Sequence, residues 1–97
     1  MDSRIIEFMK EYQISDLEIG DLNNIAPMID FTSYEEFMAN CELLAKYGYP
    51  KSDLDVLMLA NPNIFAMSTR DLEQELIRLQ KECDDIEIAL KEDPFAI

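Results

Sequence analysis

The 97-residue chain is 48% hydrophobic and 30% charged, a composition that suits one folded domain and excludes a disordered chain. Acids outnumber bases 21 to 8, for a net charge of −13, so nucleic acid and anionic membranes are poor partners. Histidine is absent and only two glycines are present, which removes His-based nucleophiles, the usual zinc sets and Gly-rich phosphate loops.

Ile5, Phe8, Met9 and Tyr12 recur at helical spacing and predict a first helix over 3–12. Ser15 with Glu18 forms a capping box that opens a second helix, with Leu17, Leu22 and Ile25 as its apolar anchors. Pro27 disfavours helical geometry at Ala26 and ends it. Pro27-Met28-Ile29 predicts a short 3₁₀ turn. Ser33 with Glu36 is a second capping box. The long helix that follows runs to about Tyr47, with Gly48 as its left-handed stop.

Ser52 is expected to cap the next helix. Its apolar residues Leu54, Val56, Leu57, Met58 and Leu59 cover nearly all sides, which predicts a helix buried between neighbours. Asn61-Pro62 ends it, and Ile64-Phe65 is expected to be a second 3₁₀ turn. Ser68 or Thr69 starts another long helix, to about Cys83, with Leu72, Leu76 and Leu79 on its apolar stripe. A last short helix covers about 84–91. The expected core comprises Phe8, Phe37, Leu44, Leu57, Leu59, Leu72, Leu76 and Leu79.

One ten-residue pattern recurs. Asp53-Leu54-Asp55-Val56, closing at Asn61-Pro62, returns as Asp85-Ile86-Glu87-Ile88, closing at Asp93-Pro94. A looser copy, Asp16-Leu17-Glu18-Ile19, closes at Pro27. The three prolines lie 35 and 32 residues apart, a spacing characteristic of helical repeats. The expected fold is therefore all-α: one domain over 1–97, built as three helix pairs joined by proline or 3₁₀ turns in a short solenoid-like array. The repeats cover about 1–32, 33–67 and 68–97.

The run Leu43-Leu44-Ala45-Lys46-Tyr47-Gly48-Tyr49-Pro50, continuing through Asn61-Pro62-Asn63-Ile64-Phe65 to Ser68, resembles a repeat of the mitochondrial transcription termination factor (mTERF) family. The resemblance covers nearly the whole chain, as two good copies and one degraded copy. It implies a left-handed solenoid of paired helices and binding of double-stranded nucleic acid along a basic concave groove. Every third of this chain carries more acids than bases.

The chemistry-bearing residues point to an interaction protein rather than an enzyme. Cys41 and Cys83 fall on apolar stripes and are expected to be free thiols. The acidic runs lie in predicted helices without the spaced ligands of a calcium loop, so no metal or cofactor is expected. The N-terminus has no signal peptide pattern. The apolar run Val56 to Ala60 is too short for a bilayer, and the expected location is cytoplasmic.

The favoured function is a protein-interaction module directed at a basic surface. An acidic mimic of nucleic acid, blocking a DNA- or RNA-binding protein, is the alternative, and nucleic-acid binding after the family pattern is the third. Local charge density and terminal apolar residues single out Glu82, Asp84, Asp85, Glu87, Phe95 and Ile97 as partner-binding candidates. Phe95 and Ile97 either fold back on the helix around 76–83 or pair with a second copy, giving a monomer or a weak homodimer.

Overall fold

The computed structural model describes residues 1–97. Its helices are α1 (Ser3–Glu11), α2 (Asp16–Ile25), α3 (Tyr34–Lys46), α4 (Leu54–Ala60), α5 (Asn63–Ala66), α6 (Thr69–Glu82) and α7 (Ile86–Glu92), and there is no strand. Two 3₁₀ turns cover Pro27–Phe31 and Lys51–Asp53.

Local chemistry explains most boundaries. The Ser15 hydroxyl accepts from the Glu18 amide at 3.2 Å, and the Glu18 carboxylate accepts from the Ser15 amide at 3.0 Å. This reciprocal pair satisfies two helix-start donors. Ser33 and Ser68 accept from the amides three residues on. Ser52 does not cap α4, contrary to expectation: it lies inside the Lys51–Asp53 turn. The N-cap position is Asp53, which makes no side-chain cap bond.

The stops recur as well. At the end of α1, Gln13 N–H donates to the Lys10 carbonyl and Ile14 N–H to the Met9 carbonyl. Thirty-five residues later, Gly48 N–H donates to Ala45 and Tyr49 N–H to Leu44. Both are Schellman stops, and both need a left-handed residue. Gly48 supplies it at φ 105°, as expected, and Gln13 supplies it at φ 65°. A side chain there carries steric strain that glycine avoids.

The proline turns share a bonding pattern in the same way. Ala26, Asn61 and Asp93 N–H groups donate to the Leu22, Leu57 and Ala89 carbonyls. Ile29, Ile64 and Ala96 N–H groups then donate to the Ala26, Asn61 and Asp93 carbonyls. After Pro62 the chain forms a true α-turn, α5, where a 3₁₀ turn was expected. That adds a seventh helix to the expected six.

Helix α3 packs on α1, α5 and α6, while α2 packs on α4 and α7 on α6. The Cα radius of gyration is 12.6 Å, the value of a compact globule of this length. Phe37, Leu44, Leu57, Leu72, Leu76 and Leu79 are buried. Phe37 meets Phe8 edge-on at 5.6 Å and Phe65 at 5.5 Å. Phe8 itself is only half-buried at the margin of this cluster.

Two expectations about helix faces are corrected. Helix α4 is not enclosed on all sides: Leu54, Leu57 and Met58 point inward, but Val56 and Leu59 are exposed. Helix α2 buries Ile19 and Leu22, and its expected anchors Leu17 and Ile25 face outward.

One buried polar side chain ties the layers. Asn40, on α3, is fully buried, and its amide donates to the Ile64, Phe65 and Met67 carbonyls at 3.3, 3.2 and 2.9 Å. Its oxygen accepts from the Thr69 hydroxyl at 2.9 Å. The carbonyls that α5 leaves unpaired at its C-terminal end are thereby satisfied, and the start of α6 is fixed to the same atom group.

Two substitutions on α4 separate its faces in urea unfolding. Leu57→Ala is expected to cost about 2–5 kcal/mol through lost burial and a residual cavity. Leu59→Ala is expected to stay within about 1 kcal/mol; a larger loss at Leu59 than at Leu57 would mean that α4 is rotated. Asn40→Ala, which strands several carbonyls and the Thr69 hydroxyl, is expected to cost about 1–3 kcal/mol. An unchanged unfolding midpoint would show that water takes over the role of Asn40.

Candidate functional site

The C-terminal candidates occupy the end of α6, the following loop, α7 and the tail. Arg78, on α6, organises the region. Its guanidinium donates to Glu75 at 2.6 Å, to Glu82 at 3.3 Å and to the Ala96 carbonyl at 2.6 Å. Asn61, buried at the α4–α5 junction, donates to the Pro94 carbonyl at 3.0 Å. These two donors fold the tail back onto the body. Ala96 and Ile97 pack against the core, while Phe95 remains 69% exposed.

Three of the four acidic candidates already hold an internal bond. Glu82 is paired with Arg78. Asp85 is the N-cap of α7 and accepts from the Ile88 amide at 3.2 Å. Glu87 shares Lys91 with Asp53, each at 2.7 Å. These two carboxylates hold the Lys91 ammonium well above its ordinary pKa. Asp84 is exposed and makes no bond to another side chain. Of the six residues, Asp84 and Phe95 therefore face solvent without an internal task.

An open surface cleft of about 440 Å³ lies along α6, lined by Met67, Asp71, Gln74, Glu75 and Arg78. It is polar, and its one cation is already bonded. No group of three or more Cys, Asp or Glu side chains is arranged to hold a metal ion. Burial pushes the Cys41 thiol up to about 12, so it stays protonated and is a poor nucleophile at neutral pH. Cys83 is half-buried, and both thiols are free.

A second region was not singled out in the sequence. Leu17 is 77% exposed, Ile25 63%, Met28 61% and Phe31 81%. All four fall on α2 and the 3₁₀ turn that follows it. Every charged residue from Glu11 through Ala45 is acidic. Some of these acids are paired with cations outside the stretch: Asp16 with Lys10 at 3.0 Å, Glu35 with Arg4 at 3.3 Å and Glu42 with Lys51 at 2.7 Å. Asp21, on the outer side of α2, has no such partner. The signal that could have exposed this region is the internal comparison of units. Leu17 and Ile25 stand where Ser52 and Ala60 stand 35 residues later.

Across the whole molecule, every cation except Arg70 and Lys81 is in an ion pair with an acid of the same chain. The excess negative charge is therefore left uncompensated on the surface. No helix is long and apolar enough to cross a membrane. Comparison with protein-family models, curated proteins and solved structures finds no match for this chain.

The caps make a titration test. Hydrogen bonds from Ser15 hold the Glu18 carboxyl below its ordinary range, and the Arg4 side chain does the same for Asp2. A lowered folded pKa means stabilisation that is complete above the unfolded value, about 4. It is lost as pH falls through the folded value. Ser15→Ala keeps the backbone N–H that chiefly holds Glu18 low and removes the hydroxyl, so the Glu18 midpoint is expected to rise only part of the way toward the ordinary glutamate range in an NMR titration, while Asp2 stays low. A Glu18 midpoint in the intact chain that already lies in the ordinary range would show that the capping box does not form in solution.

Proposed function

We propose that this chain is a non-enzymatic protein-interaction module directed at a basic partner. The observation that carries it is the charge state of the surface. Six of the eight Lys and Arg side chains are held in internal ion pairs and acids outnumber bases 21 to 8, so the molecule presents a net negative field to its surroundings. Such a field steers a basic partner and repels polyanions. The buried, protonated Cys41 and the absence of histidine leave no activated nucleophile or imidazole base for a reaction.

The scaffold is proposed to be a three-unit helical array over about 1–32, 33–67 and 68–97, of mTERF-like kind. Its support is the recurrence of the proline-turn bonds in all three units, and of the Schellman stop in the first two, at the offsets read from the sequence. In this proposal the family's fold pattern is kept, and its nucleic-acid surface is replaced by an acidic one. Adjacent units are linked by the Tyr12 hydroxyl to the Lys51 carbonyl, by Lys91 to Asp53 and by Asn61 to Pro94. Such contacts between neighbours give a repeat array its stability.

Stopped-flow association with a lysine-rich protein tests the charge argument. The association rate is expected to fall steeply as salt rises, because exposed charges are screened within about 8–10 Å at physiological ionic strength. In a mobility-shift titration at low salt, duplex DNA is expected to stay unbound. A salt-independent rate would remove the electrostatic basis of the proposal. Tight DNA binding would replace it with direct nucleic-acid recognition.

A further inference from the structure

The outer side of α2 and the adjoining 3₁₀ turn carries four of the five most exposed large apolar side chains of the molecule. Leu17, Asp21 and Ile25 recur every four residues along the exposed side of α2, while Ile19 and Leu22 are buried. Residues three apart eclipse in a 3₁₀ helix, so Met28 and Phe31 project together. Only Ala26 and Pro27 separate the two pairs.

The recurring turn bonds do not depend on these side chains. Thirty-five residues on, where the helix-stop and proline-turn backbone bonds recur, the residues at the same positions are Ser52, Ala60, Asn63 and Ala66. Ile19 and Leu22, by contrast, correspond to Leu54 and Leu57, and all four are buried. The recurring turn bonds are thus made once beside small or polar residues and once beside four large, exposed apolar ones. An exposed apolar cluster with no packing role is the mark of a contact surface.

Charge identifies the occupant. Asp21 projects from the same side of α2 and is unpaired, whereas Asp30 is already held by the N-terminal ammonium at 2.8 Å. No cation occurs anywhere from Glu11 through Ala45. A second copy would bring another net charge of −13 against this face, and like charges oppose that contact. An anionic lipid surface meets the same repulsion. A helix with an apolar stripe and lysine or arginine flanks satisfies both features at once, the apolar stripe on the four side chains and a cation on Asp21. We propose that the Leu17, Ile25, Met28 and Phe31 face docks a basic amphipathic helix of a partner protein. This rests on the interaction role proposed above and assigns it to one face.

Fluorescence anisotropy with the intact chain tests it. The probe is a labelled helical peptide with leucines at i, i+3, i+4 and i+7 and lysines elsewhere. Its counterpart has glutamate in place of lysine. The lysine peptide is expected to bind and the glutamate peptide to fail. Leu17→Gln with Phe31→Gln is expected to weaken binding about tenfold or more. The control pair Ile88→Gln with Phe95→Gln, also exposed, is expected to change it by less than about twofold. All four sites are at the surface, so circular dichroism should show the same helix content throughout.

Equal weakening by both pairs, or by neither, overturns the assignment to this face and leaves the charge-based interaction role standing. Absence of binding by the lysine peptide overturns the amphipathic-helix partner, and the salt-dependent association experiment judges the broader role separately. A dimer in light scattering that Leu17→Gln with Phe31→Gln dissolves assigns the face to a second copy instead.

Discussion

The Asn40 amide is the interaction on which the arrangement of the second half depends. A fully buried primary amide is tolerated only when its donors and acceptor are matched. Here they are matched by the end of α5 and the start of α6. Helix α5 is a single turn and cannot satisfy its own carbonyls. Without an internal donor, its end would have to face water, and Ile64 and Phe65 could not both be buried. Asn40 lets this turn enter the core, and Phe65 then completes the aromatic contact with Phe37. Directional bonding thus sets where nondirectional packing occurs.

The other buried amide extends this logic to the C-terminal end. Asn61 precedes Pro62 at the junction of α4 and α5, and it reaches the carbonyl of Pro94. Arg78 holds the next carbonyl but one, at Ala96. The tail is therefore tied by side chains to two preceding elements. In the N-terminal third, the position matching Asn61 is Ala26, which is buried without a side-chain bond. The turn after Pro27 uses Thr32 instead, whose hydroxyl donates to the Met28 carbonyl at 3.0 Å. The proline turns share backbone bonding but differ in how they are braced.

Charge acts on a longer scale. Individual surface ion pairs contribute little to stability, so the pairs of Arg78, Lys91 and Lys51 matter less as braces than as consumers of positive charge. What remains is an acidic surface interrupted by one concentrated apolar region. In the proposed role, the charge keeps copies of the chain apart and the apolar region makes the contact. This division explains why four large apolar groups can be carried at the surface of a small domain. Like-charge repulsion opposes self-association through them.

Helix starts, helix stops and the repeating offsets were legible in the sequence because they depend on residues within a few positions of one another. Ser15, Ser33 and Ser68 cap their helices by reaching three residues ahead. Gly48 supplies a conformation that its own missing Cβ permits. The inward faces of the short helices were not legible. In α2 and α4, seven to ten residues carry apolar groups on several sides, and periodicity alone cannot rank those sides. Packing decided, by placing Ile19, Leu22, Leu54 and Leu57 against neighbouring helices and leaving Leu17, Ile25, Val56 and Leu59 outside. The left-handed Gln13 was hidden because glutamine does not advertise that conformation. The role of Asn40 was hidden because its partners lie more than twenty residues away. The acid excess followed from composition, but which acids are occupied by cations followed from distances across the fold. Local bonding chemistry is written along the chain, whereas the choice between two apolar faces exists only once a neighbour covers one of them.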